Sequence, residues 1–156
     1  MLRYRVPAST TNLAHGFDTL GMALGLYNEV SVTPGGDAVT APGAADPGLV
    51  VLAEKVRATC ANRWACALPG FAVTVTGEVP IARGLGSSST ITLGVAAACQ
   101  RLAGRPFDRM DLIEIGAEVE GHPDNVAAAC LGGFVIVGEV AGRLRCQRFD
   151  PPPGLT

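Results

Sequence analysis

Gly84-Leu85-Gly86-Ser87-Ser88-Ser89-Thr90 is the stretch of this chain whose residue types bear most directly on chemistry. Entered through Val79-Pro80-Ile81-Ala82-Arg83, it sets two glycines and four hydroxyl side chains just before a small-residue segment, Ile91 to Ala103, that reads as a long helix. The opening turn of a helix carries N–H groups with no intrahelical partner, and the helix dipole adds partial positive charge there. Glycine lets backbone approach a ligand closely, and serine hydroxyls supply further donors or an oxygen for a magnesium ion. The pattern predicts an anion cradle, with phosphate as its usual guest. A serine-capped helix after a flexible turn explains one serine and leaves the others unexplained. Neither common phosphate motif is present. No lysine follows the second glycine as G-x-x-x-x-G-K-[S/T] demands, and Ser89 stands where a dinucleotide fingerprint needs its third glycine.

Two further segments carry groups of the right kind. Pro7-Ala8-Ser9-Thr10-Thr11-Asn12-Leu13-Ala14-His15-Gly16-Phe17-Asp18 places an amide and a carboxylate after a strand end, where ligands are commonly held. Asn12 and Asp18 are equally good turn formers, and both readings are open. Glu118-Val119-Glu120-Gly121-His122-Pro123-Asp124-Asn125 gathers three carboxylates, an imidazole and an amide around a helix end. Glu120 suits a magnesium shell; the same segment also reads simply as one helix ending and another being capped.

The elements that must position these groups follow from periodicity. Leu2 to Val6 alternates as a strand ending at Pro7, and residues 8 to 17 read as loop. Leu20 to Leu24 and Glu29 to Thr33 read as two strands around Tyr27-Asn28, with Pro34 to Gly48 an exposed connection. Asp46-Pro47 predicts an N-cap and first-turn proline for a helix to Trp64, with an apolar stripe of Val50, Leu52, Val56 and Cys60. Phe71 to Thr76 is a strand delivering the chain to the glycine-serine loop. After Gly104 stops the long helix, Asp108 caps another over Met110 to Glu120, with Asp111 completing a partial capping box. A short helical turn at Val126 to Cys130 precedes a buried strand, Phe134 to Val137, paired with Leu144 to Cys146. Strands interleaved with helices give an α+β domain.

Composition narrows the partners. A chain of 156 residues, 48% hydrophobic and 17% charged, predicts one globular domain with a real core. Its net charge of −2 and lack of a basic run argue against nucleic acid. No signal peptide or membrane-spanning stretch is visible, so a soluble, cytoplasmic protein is expected. Cys60, Cys66, Cys99, Cys130 and Cys146 show no C-x-x-C spacing and read as buried free thiols.

Taken in order, the three segments resemble the signatures of the GHMP kinases, the superfamily of galactokinases, homoserine kinases and mevalonate and phosphomevalonate kinases. The likeness is greatest to the homoserine kinases. Its carriers are Val6-Pro7-Ala8 to Asn28, Pro80 to Ser88, and Glu120-Gly121-His122-Pro123-Asp124-Asn125-Val126-Ala127 with Leu131-Gly132-Gly133-Phe134. The resemblance implies a two-layer α/β sandwich like ribosomal and translation-factor domains. It also implies transfer of the ATP γ-phosphoryl group to the side-chain hydroxyl of L-homoserine, on the route to threonine. By that likeness Pro80, Arg83, Gly84, Leu85, Gly86, Ser87, Ser88 and Ser89 surround the triphosphate, and Ser88 and Glu120 position Mg2+. Asn12, Asp18, Asp124 and Asn125 hold homoserine, with Asn125 near the reacting hydroxyl and His122 or Asp124 as a candidate base. Thr11, Ala14 and His15 depart from the family's usual Ala, Gly and Pro. Family members are roughly twice this long. Residues 1–156 are therefore expected to be an N-terminal ATP-binding domain truncated before a ferredoxin-like C-terminal domain, and incomplete as an enzyme on its own. A homodimer is compatible with this reading. Another GHMP acceptor, or an ATP-binding domain without turnover, stands as the alternative.

Overall fold

The computed structural model describes residues 1–13, 15–44 and 47–151. In chain order its elements are β1 (Leu2–Thr11), β2 (Leu20–Pro34), β3 (Val39–Thr40), α1 (Gly48–Trp64), β4 (Phe71–Gly77), α2 (Ser87–Leu102), α3 (Arg109–Glu120), α4 (Asp124–Leu131), β5 (Phe134–Val140) and β6 (Arg143–Phe149). The 15-residue strand β2 organises the sheet. β1 runs antiparallel along one edge of it, from Leu2 opposite Val32 to Thr11 opposite Gly21. The other edge is divided, β4 pairing with Asn28 to Pro34 and β5 with Leu20 to Met22. β3 lies parallel to β4, and β6 antiparallel to β5.

Side chains alternate across this sheet. Val6 and Ala8 of β1 and Asn28, Val30 and Val32 of β2 are buried, whereas Arg3, Arg5, Glu29 and Thr33 between them are exposed. All the helices therefore have one apolar face to cover, which is the two-layer α+β arrangement expected. α2 lies at its centre and touches β1, β2 and each of the other helices. Twelve of its sixteen residues are buried. Thr90, Ile91, Thr92 and Val95 are mediocre helix formers and Gly94 a poor one, so tertiary packing and not propensity holds this helix. Gly94 is required by that packing. A Cβ there would sit 2.5 Å from Cβ of Val30, a buried β-branched side chain with no room to swing away.

Several expectations are corrected. β1 does not end at Pro7 but continues to Thr11, because it is an edge strand and its pairing shifts register between Pro7 and Ser9, where a missing N–H is tolerated. The two strands foreseen between Leu20 and Thr33 are one, since Tyr27 and Asn28 stay in register with β1. The connection after Pro34 contains β3. In α1 the buried stripe is Leu49, Ala53, Val56 and Cys60, shifted by one residue at its start from the predicted one. Asp46 lies outside the described residues. The cysteines are free, but only Cys60 and Cys99 are fully buried. Burial pushes the partly covered Cys130 thiol up to about 11.

Asp108 caps α3 as predicted, accepting from the amides of Met110 at 2.9 Å and Asp111 at 3.2 Å. Asp111 does not complete a capping box. Its carboxylate instead accepts from Arg63 Nε at 2.8 Å, Trp64 Nε1 at 3.0 Å and Gln100 Nε2 at 3.1 Å, joining α1, α2 and α3. Burial alone would raise its pKa, but hydrogen bonds from Arg63, Gln100 and Trp64 hold it below the usual carboxylate value. A group lowered by folding contributes stability above its unfolded pKa, and that stability drains away as pH falls through the folded value. Asp111→Asn should therefore cost about 1–2 kcal/mol at neutral pH, with the deficit vanishing on the acid limb of a urea-midpoint titration. Gly94→Ala should destabilise by about 1–3 kcal/mol in urea unfolding, despite alanine's better helix propensity.

Candidate functional site

The first turn of α2 is held open by the residues around it. Gly86 is its N-cap, at φ 64° and ψ 31°, and no side chain caps the turn. The helical bonds begin with the Thr90 amide donating to Gly86 O at 3.0 Å. The serines thus lie inside the helix and not ahead of it, and the amides of Ser87, Ser88 and Ser89 form the unpaired first turn. A buried amide fixes its direction. Asn28, 3% exposed, donates from Nδ2 to Thr90 Oγ1 at 2.9 Å and accepts the Val79 amide on Oδ1 at 3.2 Å. Thr90 in turn donates to Ser87 O at 2.7 Å. One side chain of β2 so joins the end of β4, the loop entry and the helix start.

The end of β1 closes a second side. The Ser9 amide donates to Leu85 O at 3.2 Å, and Ser9 Oγ donates to Asn125 Oδ1 at 2.9 Å. Asn125 Nδ2 donates to Thr11 Oγ1 at 3.1 Å. A Cβ on Gly86 would fall 2.4 Å from Ser9 Oγ and 3.0 Å from Asn125 Oδ1, so glycine is required there by closeness as well as by its left-handed φ.

α4 supplies the third side. Asp124, 1% exposed, opens this helix, where a carboxylate is favoured by the dipole. Its Oδ1 accepts the Asn125 amide at 2.8 Å and lies 3.1 Å from His122 Nδ1. Glu120, at the end of α3, spans two turns of α2. It accepts from Ser88 Oγ at 2.8 Å and from Thr92 Oγ1 at 2.7 Å. Asn12 and Asp18 both adopt left-handed backbone, and the Asp18 amide donates to Asn12 Oδ1 at 3.1 Å. The turn-forming role foreseen for this pair is therefore real, with the Asp18 carboxylate left on the surface.

These groups border a cavity of about 820 Å³. Its lining includes Asn12, Asp18, Arg83, Gly84, Leu85, Gly86, Ser87, Ser88, His122, Asp124 and Asn125, which brings most of the predicted residues into one place. Pro80 and Ser89 are exceptions. Pro80 is exposed at the loop entry and outside the lining. The Ser89 hydroxyl is buried without a hydrogen-bond partner among the described residues, because its position on α2 turns it into the protein. Glu120 reaches the cavity only through Ser88. Sequence reasoning missed Leu49, Leu52, Ile81 and Ile91, an apolar share of the wall brought by α1, the loop and α2. It also passed over the exposed Phe17 as a lining residue, whereas Thr11, one of the departures noted in the first loop, does border the cavity. Nothing in sequence separated those aliphatic residues from ordinary core. Thr11 alone carried a signal, as a hydroxyl among the departures from the usual loop. Among the described residues no helix is long and apolar enough to cross a membrane.

Asn28→Ala should lower stability by about 2–3 kcal/mol, since it strands the Val79 amide in the interior. Equilibrium urea unfolding checks this, and a loss under 0.5 kcal/mol would mean that the amide is not the fixture described.

Residues 49–133 match the family model for the GHMP kinases N terminal domain. A homoserine kinase of Rhodococcus opacus is 41% identical over 97% of this chain and 51% of its own length. One from Deinococcus radiodurans is 38% identical over 97% of this chain and 51% of its own. The crystal structure of a homoserine kinase from Cytophaga hutchinsonii superposes with a TM-score of 0.77 at 25% identity, covering 95% of this chain and 51% of that one. The chain spans about half the length of the curated relatives it matches.

Proposed function

The chain belongs to the GHMP kinases through their N-terminal domain, and from that premise we propose that the protein transfers the γ-phosphoryl group of ATP to the side-chain hydroxyl of L-homoserine. The observation that carries the proposal is the uncapped first turn of α2 opening on the same cavity as Asp18, Asp124 and Asn125. Phosphoryl transfer needs little covalent help from a protein; it needs in-line positioning and neutralisation of charge on the phosphoryl oxygens. The amides of Gly84, Gly86, Ser87 and Ser88 hold the triphosphate, with Arg83 adding charge at the rim. Leu49, Leu52, Ile81 and Ile91 offer the adenine an apolar surface.

Magnesium suits the donor set. Ser88 Oγ and Glu120 Oε2 are two hard oxygens 2.8 Å apart beside the first turn. Among the described residues no cluster of three or more His, Cys, Asp or Glu side chains stands ready to enclose a metal. An ion held through one carboxylate, with phosphate oxygens completing its shell, is the usual magnesium arrangement. Held by Ser88 and Glu120, such an ion would neutralise charge on the phosphates.

The carboxylates of Asp18 and Asp124 face the ammonium of homoserine, and Asn125 stands beside the hydroxyl that attacks. Both ends of its amide are hydrogen-bonded to β1, so its orientation is preset. A loose transition state leaves the proton on the attacking oxygen until late, so a strong base is unnecessary. Asp124, with His122 against it, is the group we assign to take that proton.

The test is ATP consumption with a panel of alcohols by a full-length protein that carries residues 1–156 as its N-terminal half, since the chain spans about half the length of its relatives. L-Homoserine should exceed mevalonate, shikimate and sugars by at least about tenfold in kcat/KM, a discrimination within reach of a site that hydrogen-bonds its substrate. Preference for another alcohol would overturn the acceptor, and ATP binding without turnover would favour a nucleotide-binding module. Glu120→Gln should lower kcat by about 10²-fold, and Asp18→Asn should raise the homoserine KM while leaving that of ATP nearly unchanged.

A further inference from the structure

Among the described residues, nothing accepts the hydroxyl proton of Thr11. Its Oγ1 is already the acceptor for Asn125 Nδ2 at 3.1 Å. The hydrogen bonds therefore run in one direction. Ser9 Oγ gives its proton to Asn125 Oδ1, Asn125 Nδ2 gives one to Thr11, and the Thr11 O–H is the outlet. Thr11 is one of the residues that line the cavity. Ser9 and Gly86 lie against the Oδ1 side of Asn125, so Thr11 stands on the other side of that amide, away from the phosphate loop and one residue before Asn12.

The chemistry around it is complementary. The Asp18 and Asp124 carboxylates of the same wall accept and cannot donate when ionised. A small amino alcohol offers its ammonium to them and needs a donor for its oxygens. We propose that Thr11 is a specificity-determining contact of the acceptor site, donating its hydroxyl proton to an oxygen of the phosphoryl acceptor. This inference rests on the kinase reading above and assigns a substrate contact to a position where the usual loop has an alanine. It also sets a limit on Asn125: the lone pair turned toward Ser9 and the proton turned toward Thr11 are both spent, so this amide reads the substrate partly through Thr11.

Three substitutions separate contact from support. Thr11→Val keeps shape and loses the donor, Thr11→Ser keeps the donor, and Thr11→Ala restores the usual side chain. Steady-state kinetics should show the KM for L-homoserine rising about 5- to 10-fold in Thr11→Val and Thr11→Ala, the size of one net hydrogen bond. The KM for ATP should stay within about twofold, and Thr11→Ser should restore the homoserine KM. A fall in kcat with an unmoved homoserine KM would overturn the proposal, because it would make Thr11 only a holder of Asn125. Propanolamine, which keeps the amine and the alcohol but lacks the carboxylate, identifies the oxygen. A Thr11→Val penalty that disappears with it assigns the carboxylate, and one that persists assigns the alcohol; no penalty with either substrate overturns the contact. Should the wild-type protein phosphorylate a different alcohol, the acceptor assignment falls, and the same KM series run on that alcohol still decides the role of Thr11.

Discussion

Everything at this site depends on a polar side chain buried where an aliphatic one would ordinarily go. Asn28 occupies an inward position near the middle of β2, where the pairing with β4 ends, and its amide is satisfied at both ends by parts of the loop it aligns. An unsatisfied amide in that position would cost more than the net gain of the bonds it makes. The loop is thereby bound to one conformation: if Val79 or Thr90 drifts, the penalty falls on the interior of the protein. Such an arrangement holds backbone donors in place before any ligand arrives, which is the form of preorganisation that charge stabilisation requires.

The carboxylates near the seat are kept from spoiling it by hydrogen bonds of their own. Glu120 would repel an anion at the mouth of α2, yet its two oxygens are taken up by Ser88 and Thr92. Asp124 is drawn toward the start of α4 by the Asn125 amide and His122. Negative charge is therefore tied to helix ends and side chains, and the amides of Ser87 and Ser88 remain the exposed positive surface.

Much of this was legible in the sequence, and the limits have physical causes. The glycine-serine loop, the helix that follows it, the Asp108 cap and the terminal hairpin each announce themselves by local chemistry. Boundaries failed where tertiary pairing overrode local signals: Pro7 reads as a stop, but an edge strand with a bulge carries on through it. Asp111 sits at the spacing of a capping box and was claimed instead by Arg63, Trp64 and Gln100, which no local pattern could reveal. Ser89 was grouped with its neighbours by type, although its place on the helix sends its hydroxyl inward. The linkage from Ser9 through Asn125 to Thr11 joins residues more than a hundred positions apart, and only the fold brings them together.

The near-total burial of α2 has a consequence for how this molecule can change. A helix made of Gly94, Ala96, Ala97 and Ala98, wedged against Val30, tolerates almost no increase in volume. The amide seat at its head is locked to that helix, so it cannot be retuned without disturbing the interior. Phe17, Ile81 and Ala82, by contrast, stand at the exposed margin of the cavity. Changes in side-chain size are thus accommodated at the periphery, while the anion seat cannot be altered without repacking α2.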